Sequence, residues 1–452
     1  MDPKHGMIAF LKKDLGPVYP ELRWFNEAEA TIANGRRARL LNSLLPRLRQ
    51  DFLGAKISTG GLSPGCELCG QGFWSCLFIN GLCTASCFFC PQDRNVTEER
   101  LPEADGLTFE DPDDYVDFVR EFGIRGVGIS GGEPLLVMDR LTLFISKLKR
   151  AFGHGFYIWA YTNGDLVTRE SLRALRRAGL DEIRFDLAAR DYDLEPVETA
   201  VTQIDTVTVE IPAIPEDRAR VRRILGPLDK LGVRFLTLHQ LHASEFNYPK
   251  LIERNYTFVH ETPPSVFESE MAALMVIKHA VSRSLRLSVS YCPTSYKHRF
   301  QGSGLRNRVG RKAIGADEYL TEAGFIRSLR VNGSNGNGGR ECVGCKIAYS
   351  EPKLAWHEDS AVRAGTVGLA SGRKIALIKE PIPLEGGLSS SGLSAFERMF
   401  LENQNPIEIL RRFVASYTIS AKGDAERMLR EKETLERIRT LERIEAGLHP
   451  VF

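Results

Sequence analysis

The 452-residue chain contains no uninterrupted run of about 18 apolar residues, so no membrane-spanning helix is expected. An excess of charge of one sign is also missing. Its 60 Lys and Arg against 58 Asp and Glu leave a net charge of +2, and this balance calls for no nucleic-acid partner. Met1 to Leu15 lacks the apolar core of a signal peptide and already carries Asp2, Lys12, Lys13 and Asp14, so a cytoplasmic protein is expected. No internal repeat is visible, which excludes solenoid and propeller arrays. At 43% hydrophobic and 26% charged residues, the composition is that of an ordinary globular protein. The length suits one large domain with one or two smaller ones. Nine cysteines in a chain of this kind read as reduced, metal-binding thiols rather than disulfides.

Three of those cysteines share one short run, Cys83-Thr-Ala-Ser-Cys87-Phe-Phe-Cys90-Pro91. A [4Fe–4S] cluster normally takes four thiolates. The C-x3-C-x2-C spacing supplies three and leaves one iron open to a ligand from outside the protein, which points to chemistry at the cluster rather than electron storage. The plain alternative is a structural zinc loop, but such sites pair two C-x2–4-C knuckles, and these three residues do not complete one.

From Leu77 onward short apolar runs alternate with helical patterns. Strands are expected at Leu77–Ile79, Gly126–Ser130, Phe156–Tyr161, Glu182–Leu187, Thr206–Ile211, Phe235–Leu238 and Leu287–Tyr291. Helices are expected at Pro112–Phe122, Leu135–Phe152, Arg169–Ala178, Glu216–Leu231 and Glu268–Ser284. Strands of about five residues separated by helices of ten or more imply parallel βαβ units. The fold class expected is therefore α/β, a partial (β/α)6 TIM-like barrel with terminal extensions, whose reactive groups lie at the C-terminal ends of the strands. The domains expected are an N-terminal helical segment over 1–65, a core barrel over 66–331 and a C-terminal α+β extension over 340–452. Within the first, Asn26 to Phe52 reads as an arginine-rich helix or helix pair, and Ser58 to Gly65 as a loop. Asn332 to Gly339 is a linker by composition. Beyond it lie a strand at Lys374–Ile378, a helix opening at Ser394 with Glu397 at capping-box spacing, and a charged amphipathic helix over Asp424–Ala446.

Ser130-Gly131-Gly132-Glu133-Pro134 follows an expected strand directly. The glycine pair lets a ligand approach the backbone, and Pro134 suits the first turn of a helix. Tyr161-Thr162-Asn163-Gly164 ends the next strand, with a plain Asn-Gly turn as the alternative. In Asp181-Glu-Ile-Arg-Phe-Asp186, Arg184 and Asp186 alternate in phase, so both can face a barrel interior. A buried Arg184 needs an anionic partner, either a ligand carboxylate or Asp186 itself. Glu210 is a further inward candidate on the following strand. His239 and His242 stand just past a strand on the catalytic rim, with ordinary pKa values that suit substrate contact or proton transfer.

The cysteine spacing with Phe89 before its last member, followed by the Gly-Gly-Glu-Pro turn, resembles the radical S-adenosylmethionine (radical SAM) superfamily. Further runs widen the resemblance to residues 60–315. They are Gly65-Cys66-Glu-Leu-Cys69, Gly179-Leu-Asp-Glu-Ile-Arg-Phe, Val209-Glu-Ile-Pro-Ala-Ile-Pro215 and Tyr291-Cys-Pro-Thr-Ser-Tyr-Lys-His-Arg-Phe-Gln301. Together they are similar to the group of radical SAM proteins described as related to pyruvate formate-lyase activating enzymes. The resemblance implies that the open iron of the cluster on Cys83, Cys87 and Cys90 is chelated by SAM. Reductive cleavage then gives a 5′-deoxyadenosyl radical that abstracts hydrogen from a substrate. It implies that Ser130, Gly131, Gly132, Glu133 and Pro134 seat the methionine moiety. Asn163, with Thr162, contacts the ribose, and the Glu210 strand lies near the adenine. It implies a low-potential electron donor, ferredoxin or flavodoxin. No Asp-x-His-x-x-Gly segment is present to ligate cobalamin, and the seven-cysteine pattern of the peptide-modifying branch is missing.

Cys66-x2-Cys69 and Cys342-x2-Cys345 form two knuckles, which paired would give a second site for zinc, iron or an iron–sulfur cluster. Cys292 is a substitute ligand, and Cys76 is read as the spare thiol. The basic run His298 to Lys312 suits RNA phosphates or an acidic substrate, or is a solvated loop. Three functions follow: a radical SAM enzyme acting on an RNA, protein or small anionic substrate, a glycyl-radical-enzyme activase, or a metal-bearing RNA- or protein-binding scaffold.

Overall fold

The computed structural model describes residues 4–93, 96–316, 318–331, 345–357, 364–382, 441, 443–444 and 447–448. The chain divides into two compact units, one built mainly on Asp14–Gly302 and the other on Ser303–Gly368 together with the segment from Lys374 to Glu445. The larger contains β1 (Arg49–Asp51), β2 (Lys56–Ser58), β3 (Trp74–Asn80), β4 (Glu103–Ala104), β5 (Leu107–Thr108), β6 (Gly126–Gly131) and β7 (Tyr157–Thr162). It continues with β8 (Glu182–Phe185), β9 (Thr206–Pro212), β10 (Phe235–His239), the small pair β11 (Phe258–Val259) and β12 (Ser265–Val266), and β13 (Ser288–Cys292).

Eleven of these strands form one sheet in the order β1-β2-β13-β10-β9-β8-β7-β6-β3-β4-β5. From β13 to β3 the pairing is parallel throughout. The six strands β3 and β6 to β10 are each followed by a helix, at Pro112–Glu121, Met138–Phe152, Arg169–Ala178, Glu195–Ala200, Arg218–Leu231 and Phe267–Arg283. This is the expected (β/α)6 arrangement, with β13 as a seventh parallel strand and β2 antiparallel beside it. The crossover helices carry local stop and start signals. Thr168 and Ser171 form a capping box ahead of Arg169–Ala178, and Gly179 ends it in the left-handed conformation that glycine adopts without strain.

The sheet is curled. One cavity touches Lys56 on β2, Cys76 on β3, Ser130 on β6, Tyr161 on β7, Arg184 on β8, Glu210 on β9, His239 on β10 and Cys292 on β13. A flat sheet could not bring these residues to one space. Strand alternation places polar side chains inward, while Ile183, Phe185, Val207, Val209, Leu236 and Leu238 are buried on the opposite face. Each apolar side chain so buried stabilises the barrel by roughly 1.5–3 kcal/mol.

Three expectations are corrected. The helix beginning at Asn26 spans only Glu27–Leu44, because Pro46 lies in the short 3-10 turn that follows and cannot continue an α-helix; β1 comes next. The loop expected over Ser58–Gly65 gives way at Pro64 to a helix, Pro64–Gly70, capped by Ser63, whose side chain accepts from the Cys66 amide at 3.3 Å. The basic run is helical rather than a loop, and only part of its charge faces outward, at Arg311 and Lys312 among others. It forms a π-helical stretch, Lys297–Gly302, and an α-helix, Ser303–Ala313, with Arg299 and Arg306 buried.

In the second unit, β14 (Glu318–Leu320), β15 (Ile326–Val331), β16 (Cys345–Trp356), β17 (Gly365–Gly368) and β18 (Lys374–Ile382) make an antiparallel sheet ordered β14-β15-β16-β18-β17. Within it, Arg306 stacks on Phe325 at 4.4 Å and donates to the Ala323 carbonyl at 3.0 Å. The expected linker, the helix at Ser394 and most of the helix over 424–446 lie outside the described residues, as does Cys342.

Candidate active site

Loops at the C-terminal ends of the parallel strands build the rim. After β3 the chain turns at Asn80, whose buried side chain accepts from the Leu82 amide and donates to the Glu133 carbonyl at 3.1 Å. Backbone bonds from Gly132 to Asn80 (3.0 Å) and from Glu133 to Leu82 (2.7 Å) fasten the loop after β6 to this turn. The contact is so close that only glycine fits. A Cβ on Gly132 would stand 1.7 Å from the Leu82 carbonyl oxygen, and one on Gly131 (φ +124°) 2.2 Å from that of Asn80. The glycine pair therefore lets two loops touch, and the backbones of both glycines also line the cavity.

Cys83, Cys87 and Cys90 are partly exposed and line that cavity, whose volume is about 360 Å³, within the range of small-molecule sites. Their loop is held from outside. Asn163 donates to Thr84 Oγ1 at 2.7 Å and approaches Cys83 Sγ at 3.9 Å, and Thr84 donates to Asp165 at 2.6 Å. Asn247 donates to the Phe89 carbonyl at 3.0 Å. Phe88 and Phe89 pack against a buried cluster that includes Leu22, Leu241, Tyr256 and Phe258. Nothing in the sequence marked Asn80 or Asn247, since each acts through a loop contact that only the fold creates.

Glu133 differs from its expected place. It is fully buried, and its carboxylate accepts from Leu135 N (3.0 Å), Thr162 Oγ1 (2.9 Å) and Asn163 N (2.7 Å), with burial pushing its pKa up. It ties two loops together and does not line the cavity. Pro134 is likewise buried, opening a short 3-10 turn. Ser130, Thr162, Asn163, Asp186 and Phe89 do line it.

Arg184 lines the cavity as well, and within the protein its ion-pair partner is not Asp186. Its guanidinium donates to Glu182 (2.9 and 3.3 Å), Glu210 (2.6 Å), Tyr161 (3.2 Å) and Ser63 (2.9 Å), points to Cys66 Sγ at 3.6 Å, and lies over Trp159 at 5.0 Å. Strand register explains this: Arg184 pairs with Thr208, so Glu210 is its diagonal neighbour on the inner face, while Asp186 has passed the strand end to cap the turn Leu187–Arg190. Glu182 also accepts from Thr208 at 2.7 Å, so the buried pair is fully hydrogen-bonded.

Glu210 bonds His239 Nε2 at 2.7 Å. Burial, then the nearby Lys297 cation, lowers His239 to about 4 against the pull of Glu210, so the imidazole is neutral near pH 7. Its carboxylate partner places the proton on Nε2 and leaves Nδ1 as an acceptor. Burial and Lys297 lower His242 to about 3. Both histidines line the cavity, as does Lys297.

Cys66, Cys69, Cys76 and Cys292 line the same cavity as the rim thiols. Burial pushes the Cys69, Cys76 and Cys292 thiols up, Cys76 to about 11, and Cys76 contacts Ser130 at 3.3 Å. Among the described residues no three Cys, His, Asp or Glu converge on a point that one metal ion could fill. An iron–sulfur cluster makes no such demand, because its cysteines ligate different irons around a body of several atoms. The loop Cys83–Cys90 thus fits a cluster with one iron left free. No helix among the described residues is long and apolar enough to cross a membrane.

The radical SAM superfamily profile matches residues 77–203. A candidate glycyl-radical enzyme activating enzyme of Methanocaldococcus jannaschii is 30% identical over 278 residues, covering 59% of this chain and 72% of that relative. A candidate GTP 3′,8-cyclase of Sulfolobus acidocaldarius is 30% identical over 158 residues, 35% of this chain and 43% of that protein. Among solved structures, Streptococcus suis SuiB bound to S-adenosylmethionine aligns with a TM-score of 0.36 at 11% identity, over 67% of this chain and 68% of that one. The strand-end cysteine loop, the glycine turn fused to it, and a relative matched over most of its length lead to one assignment: the chain belongs to the radical SAM superfamily.

Proposed function

We propose that Cys83, Cys87 and Cys90 hold a [4Fe–4S] cluster and that the backbone at Ser130, Gly131 and Gly132, with Asn163, seats S-adenosylmethionine. The observation that carries this is the joining of the cysteine loop and the glycine turn on one cavity wall. Bound together, the two groups supply one-electron cleavage of the sulfonium and, through it, hydrogen abstraction from a substrate. The chain's own residues do the rest. Asn163 directs an amide N–H toward Cys83 and fixes Thr84. Glu133 holds the seating loop to the end of β7. His239, kept neutral, holds a proton on Nε2 against Glu210 and offers Nδ1 as an acceptor.

A low-potential flavodoxin or ferredoxin is the proposed reductant. The Lys297 cation on the cavity wall favours an anionic group on the substrate. The activating-enzyme relative favours a second reading, in which the substrate is a backbone glycine of a partner enzyme. The test is anaerobic reconstitution with SAM and a reductant. Wild type is expected to release 5′-deoxyadenosine and Cys87→Ala to release none; equal behaviour of the two would remove the enzymatic reading. A glycine-centred radical signal on an added glycyl-radical enzyme would select the second reading.

A further inference from the structure

We propose that Cys66, Cys69 and Cys292 hold a second iron–sulfur cluster, inside the barrel and on the wall of the cavity that the rim cysteines share. Cys66 and Cys69 come from the helix Pro64–Gly70, Cys292 ends β13, and all three are buried. These are regular-structure supports, and Cys292 joins the other two on one cavity wall across more than 220 positions of sequence.

Two further observations point to a bound metal rather than to idle thiols. First, N–H donors are aimed at the sulfurs: Arg184 Nη1 lies 3.6 Å from Cys66 Sγ, and the Gln301 amide donates to Cys69 Sγ. Thr237 Oγ1 adds a contact to Cys66 at 4.0 Å. A neutral thiol is a weak acceptor, whereas metal-bound thiolates take such bonds, which tune iron–sulfur clusters. Second, the Lys56 ammonium is 1% exposed and lies 4.8 Å above the Tyr296 ring. Lys56 precedes Ile57, the cross-strand partner of Tyr291, which itself precedes Cys292. A buried cation needs compensating charge nearby; Glu210 supplies part of it, and thiolates carrying a cluster would add to it.

Structural zinc takes four ligands around one point, whereas Cys66, Cys69 and Cys292 supply three thiols to this wall of the cavity. Three soft thiolates spread round a space fit iron and sulfide. Gln301 and Lys297, both on the cavity wall, sit on the π-helical stretch Lys297–Gly302, a backbone form frequent at functional sites.

The proposal does not depend on the rim reading, and one experiment separates them. The full chain is reconstituted anaerobically with iron and sulfide, and both elements are counted per chain in wild type and two triple variants. In Cys83→Ala/Cys87→Ala/Cys90→Ala, about half of the iron and sulfide should remain, with a visible charge-transfer band and a Mössbauer spectrum of cluster iron. In Cys66→Ala/Cys69→Ala/Cys292→Ala, the other half should remain and SAM should still perturb it. A folded rim variant that is colourless, or that retains zinc instead of iron, overturns the proposal. So does a full iron content in the interior variant. Should the interior variant fail to fold, the rim variant alone decides: either it keeps iron and sulfide or the second cluster does not exist. Loss of the rim reading would leave the interior iron in place.

Discussion

Cys83, Cys87 and Cys90 stand partly exposed on a loop that residues from other parts of the chain hold in place, whereas Cys66, Cys69 and Cys292 are buried on a helix and a strand end. The first set is tied down through the Phe89 carbonyl, through Thr84 and by an amide N–H directed at Cys83. In the second, N–H donors reach Cys66 and Cys69 from a buried arginine and from Gln301, with a buried ammonium nearby. A site that must admit and release a ligand is served by the first arrangement. A site that must retain its metal is served by the second. The comparison teaches that proximity of cysteines in sequence and rigidity of their setting are separate properties, and here they run in opposite directions.

The largest way to break the contrast lies at the interior. Arg184→Met leaves Glu182 and Glu210 as buried carboxylates without their cation, which should cost about 3–5 kcal/mol in urea unfolding. A loss below 1 kcal/mol would mean that the interior is not held by this network. Next is the rim. Gly132→Ala must push the loop off the Leu82 carbonyl, and a displacement of this order should lower 5′-deoxyadenosine release about 100-fold while interior iron stays. Parallel loss of iron from both sets would erase the distinction. Smaller again is Asn163→Ala, which removes the hydrogen bonds to Thr84 and from the Asp165 amide and the contact with Cys83; about 1–2 kcal/mol of stability should go, together with a shift in the potential of rim iron only.

The smallest effect is a control belonging to neither set. Burial raises Glu261 to about 6 from an ordinary 4.5. The Ser265 hydroxyl, Arg299 and Arg37 oppose the rise, and Glu270 adds to it. The folded chain therefore holds this proton more tightly than the unfolded one. The stabilisation is full below about pH 4.5 and is lost as pH rises through about 6. Unfolding midpoints of wild type minus Glu261→Gln should decline across that window. A flat difference would show that this carboxyl is not held in its protonated form by burial.

Much of this was legible from the residues. The alternation of Ile183 and Phe185 with Arg184 gave the strand and its inward face. Three cysteines within eight positions needed no tertiary contact to be read as one site. The partners of Arg184 were hidden, because Glu210 becomes a neighbour only through the register of β8 on β9. Cys292 could be named as a substitute ligand, but its convergence with Cys66 and Cys69 depends on how the sheet curls. Pro46 was the overlooked signal behind the overlong helix, and Ser63-Pro64 the overlooked cap and first turn of the helix that bears Cys66. In the run His298–Lys312 charge alone did not report direction: Arg299 and Arg306 turn inward while Arg311 and Lys312 stay exposed.

The side-chain amide of Asn247, 158 positions after the carbonyl it grips at Phe89, has a consequence for biogenesis. A nascent polypeptide that has emerged only as far as β7 already exposes the Cys83–Cys90 run, yet it lacks both Asn247 and the Leu241–Phe258 patch on which Phe89 rests. The cysteine loop therefore takes its observed form only once the chain through Phe258 has folded against it, so the order of the sequence is not the order in which the site is completed.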